Sequence, residues 1–290
     1  MPEILSPKTI CDSFVRSYFS TSNSLYSVEE IIDWMQSRNK AHPFQVSRIA
    51  FEEMDDWYFE NGSKDLVHSS NRFFRVEALS CKQNFGEVRS WQQPIINQQE
   101  IGILGFISKE FNGVRHFLLQ AKMEPGNINT IQLSPTVQAT HSNYQKVHQG
   151  HTPRYLEYFL SSKKRIMVDQ LQSEQGTRFL RKRNRNIIID TKENIELNEN
   201  FIWVTLSQIK ALTALDNHVN MEARSILSCI TMLGDSNLSE EIKTQIPLDD
   251  FNHKLLTSVF EKNNVHCSKE EILQWMTEHK SNLYIRNSYL

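Results

Sequence analysis

Basic side chains are concentrated between positions 178 and 185 of the chain. Five of these eight residues are basic, namely Arg178, Arg181, Lys182, Arg183 and Arg185. On a β-strand alternate residues face the same side, so Arg181, Arg183 and Arg185 would form one row. The planar guanidinium group matches the geometry of phosphate oxygens. The segment is suited to a solvated basic edge or to a diphosphate site, and both interpretations stay open from these residues. A nucleic-acid contact is the third alternative, and the net charge of −2 argues against it.

A tryptophan lies beside amide side chains in residues 91–94, at the end of a predicted strand. The indole ring of Trp91 is suited to stacking on a flat base, and the amide of Gln93 is suited to hydrogen bonding with its edge. The alternative is a tryptophan packed into the core at the end of a strand. Both interpretations remain open from these residues alone.

Further polar side chains lie in residues 120–126, where another predicted strand runs into a turn. Lys122 and Glu124 are two positions apart and therefore share one face of the strand. Together with Gln120 they would present a carboxylate, an ammonium group and an amide to a substrate. The alternative is an ordinary strand edge with a salt bridge.

Residues 134–144 are rich in small hydroxyl and amide side chains, including Thr136, Gln138 and Asn143, and end at Tyr144. Such a run is suited to lining a sugar-binding wall. It is equally suited to an irregular loop whose side chains bond to its own backbone. Pro135 lies inside this otherwise extended stretch and predicts an edge strand or an irregular segment.

Several common chemistries lack their motifs in this chain. His148 and His151 flank a glycine without a matching carboxylate cluster, which is a weak metal pattern. No P-loop, no G-x-G-x-x-G and no G-x-S-x-G run occurs, which excludes P-loop hydrolysis, dinucleotide redox chemistry and the common serine hydrolases. The four cysteines have no C-x-x-C spacing, so we expect buried, reduced thiols.

Composition predicts a cytosolic protein with no membrane partner. Mean hydropathy is −0.49, and no apolar run approaches the roughly 20 residues of a membrane span. The first 20 residues have no apolar signal core. The 290 residues allow one large core or two domains.

The elements that would position these residues indicate an α+β fold. Strands are expected in the middle of the chain, from about residue 73 to residue 140, and helices on both sides of them. Asn112-Gly113 between two apolar runs predicts a hairpin. No alternating βαβ rhythm occurs, which argues against a doubly wound sheet. The expected helices are residues 8–20, 27–40, 155–160, 205–215, 221–230 and 251–262, and one further strand is expected at 185–190.

A nine-residue segment occurs twice. Residues 27–35 recur at 268–276, 241 positions later, with six of nine residues identical, including Trp34 and Trp275. Two capped amphipathic helices that match by chance are the alternative. Duplication is the favoured interpretation, and it predicts a first unit at 1–230, a linker and connecting helix at 231–264 and the opening helix of a second copy at 265–290. Only fifteen residues follow Trp275, so we expect that copy to lack its core.

Six runs resemble the NDP-hexose 2,3-dehydratases. They are residues 91–96, 120–127, 133–140, 143–144, 172–176 and 219–229. The resemblance implies two copies of a Nudix-like mixed sheet flanked by helices in one polypeptide, of which this chain holds one full repeat. The Nudix catalytic signature is absent, as it is in the family. Family members are longer than this chain and carry a complete second copy.

The resemblance also implies a reaction and its partners. The substrate would be a dTDP-4-keto-6-deoxyhexose, from which a base removes the C3 proton and the C2 hydroxyl leaves with help from an acid. No metal and no redox cofactor would be needed. The 3,4-diketo product would be reduced by a separate ketoreductase on the way to 2,6-dideoxysugars of natural products. The resemblance further implies a homodimer.

Residue roles follow from the resemblance as expectations. Trp91 and Gln93 would contact the thymine, and Glu124 or Tyr144 would transfer protons. The diphosphate would be held by Arg178, Arg181, Arg183 and Arg185. The sugar would lie against Gln120, Lys122, Glu124, Thr136, Gln138, Asn143 and Tyr144. The alternative is a half that binds nucleotide sugar, or only supports assembly, without turning substrate over.

Overall fold

The computed structural model describes residues 6–20, 22–84, 87–140, 152–230, 267–283 and 286–287. The chain divides into two compact units. The larger unit comprises Met1–Arg48, Glu100–Glu174 and Arg183–Pro247. The smaller unit comprises Ile49–Gln99, Gln175–Lys182 and Leu248–Leu290. The predicted helix at 251–262 and the linker at 231–264 lie outside the described residues.

Helices and strands of the described residues form a mixed α+β fold, which confirms the predicted class. The helices are α1 (Pro7–Phe19), α2 (Val28–Ala41), α3 (Leu156–Leu160), α4 (Leu206–Thr213), α5 (Met221–Ser228) and α6 (Lys269–Leu283). The strands are β1 (Trp57–Phe59), β2 (Leu66–His68), β3 (Arg75–Lys82), β4 (Ser90–Asn97), β5 (Gly102–Phe111), β6 (Val114–Met123), β7 (Ile131–Ser134), β8 (Val137–Ala139), β9 (Arg165–Ser173), β10 (Arg183–Asp190), β11 (Phe201–Thr205) and β12 (Arg286–Asn287). No helix in these ranges is long and apolar enough to cross a membrane.

The larger unit is built on a mixed sheet with the order β11-β6-β5-β10-β9. β5 and β10 run parallel, and the other neighbours are antiparallel. β5 and β6 meet in the predicted hairpin, where Asn112 and Gly113 both have positive φ, at 50° and 77°. Two positive φ angles in a two-residue loop match the right-handed twist of the strands.

The central hairpin opens partway along its length. β5 and β6 pair from Phe111 and Val114 only as far as Ile107 and Leu118. Beyond that point β7 pairs with β6 and β8 pairs with β5, so residues 131–139 fill the opening. The break between β7 and β8 falls at residues 135–136, as the proline predicted. The opening therefore brings the end of β6 and the short strand β8 into one region of the sheet.

Both faces of this sheet are covered. One face packs Phe106, Leu119 and Ile188 against apolar residues of α1, α2, α4 and α5. The other packs Ile107 and Ile187 against α3. Burial of these apolar side chains is the main source of stability for such a layered arrangement.

Gly105 lies where α3 packs against the sheet. A Cβ atom added there would lie 2.2 Å from Cε1 of Phe159, which is itself 1% exposed. We expect Gly105→Ala to lower the free energy of unfolding by about 1–3 kcal/mol, because a packed core relaxes poorly around an added methyl group. Gly126→Ala is the matched control, since nothing lies within 4 Å of the added atom. Urea midpoints would measure both, and equal midpoints would contradict the packing argument.

The smaller unit contains β1, β2, β3 and β12 in that order, with β4 also paired to β3. Here one expectation was wrong, because β4 does not end at Pro94 but runs through it. The backbone N–H of Ile96 donates to Arg178 and not to β3. Alternate residues point the same way, so Pro94 lacks its N–H on the side away from β3, where no ladder bond is lost.

Candidate functional site

A group of polar side chains converges where β6 ends, in the larger unit. Nζ of Lys122 lies 3.4 Å from Oε1 of Glu124, and Nε2 of Gln138 donates to the same oxygen at 3.1 Å. The side chains of Lys122 and Glu124 are 27% and 29% exposed, so the pair is largely but not fully withdrawn from solvent. With Glu222, described next, these residues form what we call the Glu124 cluster.

Local structure fixes each member of this group. β6 ends at Met123, and a turn follows in which the N–H of Asn127 donates to the carbonyl of Glu124 at 3.0 Å. Gln138 belongs to β8, which pairs with β5 because the hairpin has opened. Oγ of the buried Ser134 lies 3.3 Å from Oε1 of Gln138. The amide is thus fixed between Ser134 and Glu124.

Glu222 joins the cluster from the first turn of α5. The N-cap residue Asn220 accepts from the N–H of Ala223 at 2.9 Å and donates its own N–H to Leu133 of β7 at 2.9 Å. These bonds hold the start of α5 against the sheet. Burial raises the pKa of the Glu222 carboxyl, and a hydrogen bond from its own backbone N–H opposes the rise. The negative charges of Glu124 and Glu174 raise this pKa further, and the positive charge of Lys122 lowers it.

The polar region continues beyond Glu222. Nδ2 of Asn184 donates to Oε2 of Glu174 at 2.7 Å. Asn184 is only 9% exposed, and a Cβ atom added at Gly102 would lie 2.9 Å from its Oδ1. The larger unit therefore holds three carboxyl groups, an ammonium group and two amides near the ends of β6, β8 and β9.

This arrangement is suited to moving protons. Carboxyl groups in unlike surroundings can divide the roles of acid and base, because each environment favours a different protonation state. In the described part of the chain, no group of three or more His, Cys, Asp or Glu residues is arranged to hold a metal ion. The carboxyl, ammonium and amide groups of the cluster are themselves suited to acid–base chemistry.

Thr136 and Gln120 lie near this cluster along the chain but have other surroundings. Oγ1 of Thr136 accepts from the N–H of Ile107 at 2.9 Å and donates to the carbonyl of Leu118. The hydroxyl thus bonds to both strands where the hairpin opens, and Thr136 is 2% exposed. Gln120 is half-buried within β6. Any effect of Thr136 on a substrate would have to act through the shape of the opening.

The predicted row of arginines is only partly formed. Arg181 precedes β10 and has a left-handed φ of 51°, which removes it from the strand. Arg183 and Arg185 share a strand face by alternation. Nε of Arg185 donates to Oδ1 of Asp169 at 2.7 Å in a two-bonded ion pair. Arg178, Arg181 and Arg183 are exposed, and none of the ion pairs found among the described residues involves them.

Trp91 and Gln93 do lie together, in the smaller unit. Nε1 of Trp91 donates to Oε1 of Gln93 at 2.8 Å, and Nε2 of Gln93 donates to the carbonyl of Thr177 at 2.8 Å. Trp91 and Leu180 pack against a small core that contains Leu79, Cys81 and Ile95. These bonds join β4 to the segment that carries Arg178 and Arg181. The roles of these residues in binding a nucleotide stay predictions.

The remaining predicted residues, Asn143, Tyr144, His148 and His151, lie outside the described residues. Glu222 was not among the predicted site residues. Its only signal was its place in residues 219–229, one of the six runs that carried the family resemblance.

Comparison with known proteins identifies the family. The model of the NDP-hexose 2,3-dehydratase family matches residues 28–230. The chain belongs to this family, which confirms the resemblance found in the sequence. The proteins it matches include dTDP-4-dehydro-6-deoxy-alpha-D-glucopyranose 2,3-dehydratases from three bacteria.

The three relatives share between 41% and 47% of their aligned residues with this chain. That of Saccharopolyspora spinosa is 41% identical over 274 residues, 94% of this chain and 56% of the relative. That of Amycolatopsis orientalis is 47% identical over 225 residues, 76% and 48% of the two chains. That of Streptomyces violaceoruber is 46% identical over 197 residues, which cover 67% of this chain and 44% of the relative. The chain spans about half the length of the curated relatives it matches.

Among solved structures, the chain is similar to the crystal structure of an ADP compounds hydrolase. The TM-score is 0.35 and the sequence identity 13%, over 55% of this chain and 84% of the hydrolase. A similarity of this size carries no argument about fold or function.

Proposed function

We propose that this chain is a sugar-nucleotide dehydratase unit that acts on dTDP-4-keto-6-deoxyglucose. It removes water across C2 and C3 and yields a 3,4-diketo-2,6-dideoxysugar. Family membership and the printed names of the three relatives support the substrate. The observation that carries the proposal is the Glu124 cluster, in which one carboxylate bound by Lys122 and Gln138 lies close enough to Glu222 to affect its pKa.

The reaction needs a base first. The C3 hydrogen is acidic because C3 is adjacent to the C4 ketone, which takes up the electron pair as an enolate. Glu124 is the proposed base, and the ammonium group of Lys122 lies where it can stabilise negative charge as it develops. The enolate then expels the C2 hydroxyl as water. Tyr144 stays the second candidate for proton transfer.

A duplicated, Nudix-like architecture is part of the proposal. Ser27 and Glu30 exchange two hydrogen bonds at the start of α2, at 2.6 and 3.1 Å. Ser268 and Glu271 exchange the same two bonds at the same distances before α6. The same capping box therefore opens both helices, as a duplication requires.

The apolar faces of the two helices support the same idea. Ile31 and Met35 of α2 are 0% and 4% exposed. Their counterparts in α6, Ile272 and Met276, are 50% and 57% exposed. A second sheet like that of the larger unit would bury this face, so we propose that residues 265–290 open a second repeat. We also propose a homodimer, a cytosolic location and a downstream ketoreductase that consumes the reactive diketone.

The alternative function is a half that binds nucleotide sugar, or only supports assembly, without turnover. Its support is that the chain spans about half the length of its relatives. One experiment separates the possibilities. The chain is mixed with dTDP-4-keto-6-deoxyglucose, the diketo product is followed by NMR, and dTDP binding is measured by calorimetry. Product formation supports the enzyme, binding without product supports the binding half, and neither leaves only the structural half.

Diphosphate binding gives a further prediction. Replacing Arg181 and Arg183 by alanine is expected to weaken dTDP binding by about 1–3 kcal/mol for each charged hydrogen bond lost. Arg185→Ala is the matched comparison, since that guanidinium is already bound to Asp169, and we expect it to change dTDP affinity less. Calorimetry measures all three variants. If the loss were equal in Arg185→Ala, or absent in the other two, Arg181 and Arg183 would not be the diphosphate ligands.

A further inference from the structure

A cavity of about 490 Å³ lies between α1 and the tip of the β5–β6 hairpin, within the larger unit. Its volume falls in the range of roughly 300–1,000 Å³ that is usual for small-molecule sites. The cavity is at the other end of β6 from the Glu124 cluster, since Arg115 and Lys122 are seven residues apart on that strand, a rise of about 23 Å. The polar side chains that line it are those of Thr9, Asp12, Ser13, Arg16, Glu110 and Arg115.

The walls of the cavity are held together by buried contacts. Oγ of Ser17, which is 0% exposed, donates to the carbonyl of Arg115 at 2.6 Å and so joins α1 to β6. The rings of Phe14 and Phe117 stack with their centroids 6.1 Å apart. Glu110 and Arg115 are paired across the hairpin and therefore lie on one face of the sheet. A cavity whose walls are already fixed loses little conformational freedom when a ligand binds.

The guanidinium group of Arg115 leaves one nitrogen for a ligand. Its side chain is only 6% exposed. Nε donates to Oγ of Ser13 at 3.1 Å, and Nη1 donates to Oγ of Ser108 at 3.1 Å and to Oδ1 of Asp190. Nη2 has no hydrogen-bond partner among the described residues, and it is not one of the side-chain nitrogens that are fully buried there without a partner. Because Arg115 lines the cavity, Nη2 is placed to donate to a molecule inside it.

Glu110 offers hydrogen-bond acceptors beside this donor. The residue is exposed, and no hydrogen bond or ion pair of its side chain is found in the part of the chain that the structure describes. A hydroxyl group can accept a hydrogen bond and donate one at the same time. A ligand with hydroxyls on adjacent carbons can therefore accept from Arg115 and donate to Glu110.

The charges around the cavity favour an uncharged ligand. The two acidic and two basic side chains that line it have formal charges that cancel, namely Asp12, Glu110, Arg16 and Arg115. Asp12 and Arg16 also take part in further interactions. An anion at Nη2 would be repelled by Asp190, which binds the same guanidinium group, and by Glu110 on the facing strand. A neutral hydroxyl meets no such repulsion.

We propose that this cavity binds an uncharged sugar, with neighbouring hydroxyls bonded to Nη2 of Arg115 and to the carboxyl group of Glu110. The site is separate from the Glu124 cluster, where the dTDP-sugar would react. Binding here needs no turnover, so it stands or falls independently of the proposed dehydratase function.

NMR of the full ¹⁵N-labelled chain tests the site, with D-glucose as the probe. Two glycines report on the two places, because Gly113 lines the cavity whereas Gly126 lies in the turn after Glu124. D-glucose is expected to shift the backbone N–H resonance of Gly113 saturably and to leave that of Gly126 in place. Inorganic phosphate, the anionic probe, should not shift Gly113. A shift of Gly126 alone, or a saturable response of Gly113 to phosphate and not to D-glucose, would overturn the proposal.

Variants then assign the contacts. Glu110→Ala is expected to weaken D-glucose binding about tenfold, since a hydrogen bond to a charged group is lost. Thr9→Trp places a large ring at the cavity and should abolish the Gly113 response, while Arg115 keeps its own partners. Glu196→Ala is the control, because Glu196 is also an exposed glutamate of the larger unit, and it should bind D-glucose like the wild type. Wild-type affinity in both Glu110→Ala and Thr9→Trp would show that the sugar does not bind in this cavity.

Discussion

Glu124→Gln is expected to slow removal of the C3 proton by about 10²–10⁴-fold, the usual contribution of a positioned acid or base. The substitution keeps the size of the side chain and its ability to accept from Gln138, but the amide cannot take up a proton at neutral pH. Binding of dTDP should stay close to that of the wild type. The measurement is the rate of C3 hydrogen exchange in D2O, which isolates this step from the loss of water.

A matched control is available in the same unit. Glu196 is exposed, and no hydrogen bond or ion pair of its side chain is found among the described residues. Glu196→Gln makes the same chemical change outside the cluster and should leave C3 exchange unchanged. Exchange at the wild-type rate in Glu124→Gln would show that the base is elsewhere, with Tyr144 as the next candidate. Lys122→Met would then test whether the ammonium group acts independently of Glu124.

Local patterns were enough to predict one contact of the candidate site. Lys122 and Glu124 are two positions apart where β6 ends, and the structure pairs them at 3.4 Å. The turn after Glu124 and the break at Pro135 follow from the backbone preferences of single residues. Where neighbours along the chain determine geometry, the sequence is informative.

Glu222 could not be placed by such reasoning. It lies 98 residues beyond Glu124, and their proximity depends on how α5 is held against β7 through Asn220 and Leu133. No local pattern encodes that contact. Thr136 is similar, because its hydroxyl has a role only where β5 and β6 separate, and the separation depends on pairing across the whole sheet.

Strand β11 was not predicted, and the physical reason is ambiguity. All five of its residues, Phe201–Thr205, are buried. A short continuous apolar run has no alternation that would separate a strand from a buried helix. The arginine row failed for a different reason. A left-handed φ, as found at Arg181, is rare for a residue with a side chain. The prediction therefore included Arg181 in the strand, although β10 begins two residues later at Arg183.

Asp190→Asn is the second variant for which we expect a large effect, here on stability. Asp190 ends β10 with a side chain that is 6% exposed, and it binds two arginines. Nη1 of Arg115, also 6% exposed, binds Oδ1, and Nη1 of Arg165 lies 2.8 Å from Oδ2. The amide keeps the shape but removes the negative charge. Both guanidinium groups would then lose the negative charge that they share, and removal of one partner from a buried ion pair should cost about 3–5 kcal/mol.

The ion pair between Arg185 and Asp169 provides the comparison, because it allows the same Asp→Asn change in a more exposed pair. It also joins β9 and β10, its side chains are 35% and 32% exposed, and Asp169→Asn should cost no more than about 1 kcal/mol. Urea unfolding at neutral pH measures both variants. Salt should reduce the smaller loss more than the larger one, since buried charges are screened less than exposed ones. If Asp190→Asn were no more destabilising than Asp169→Asn, the buried arginines would have to find other partners or reach water.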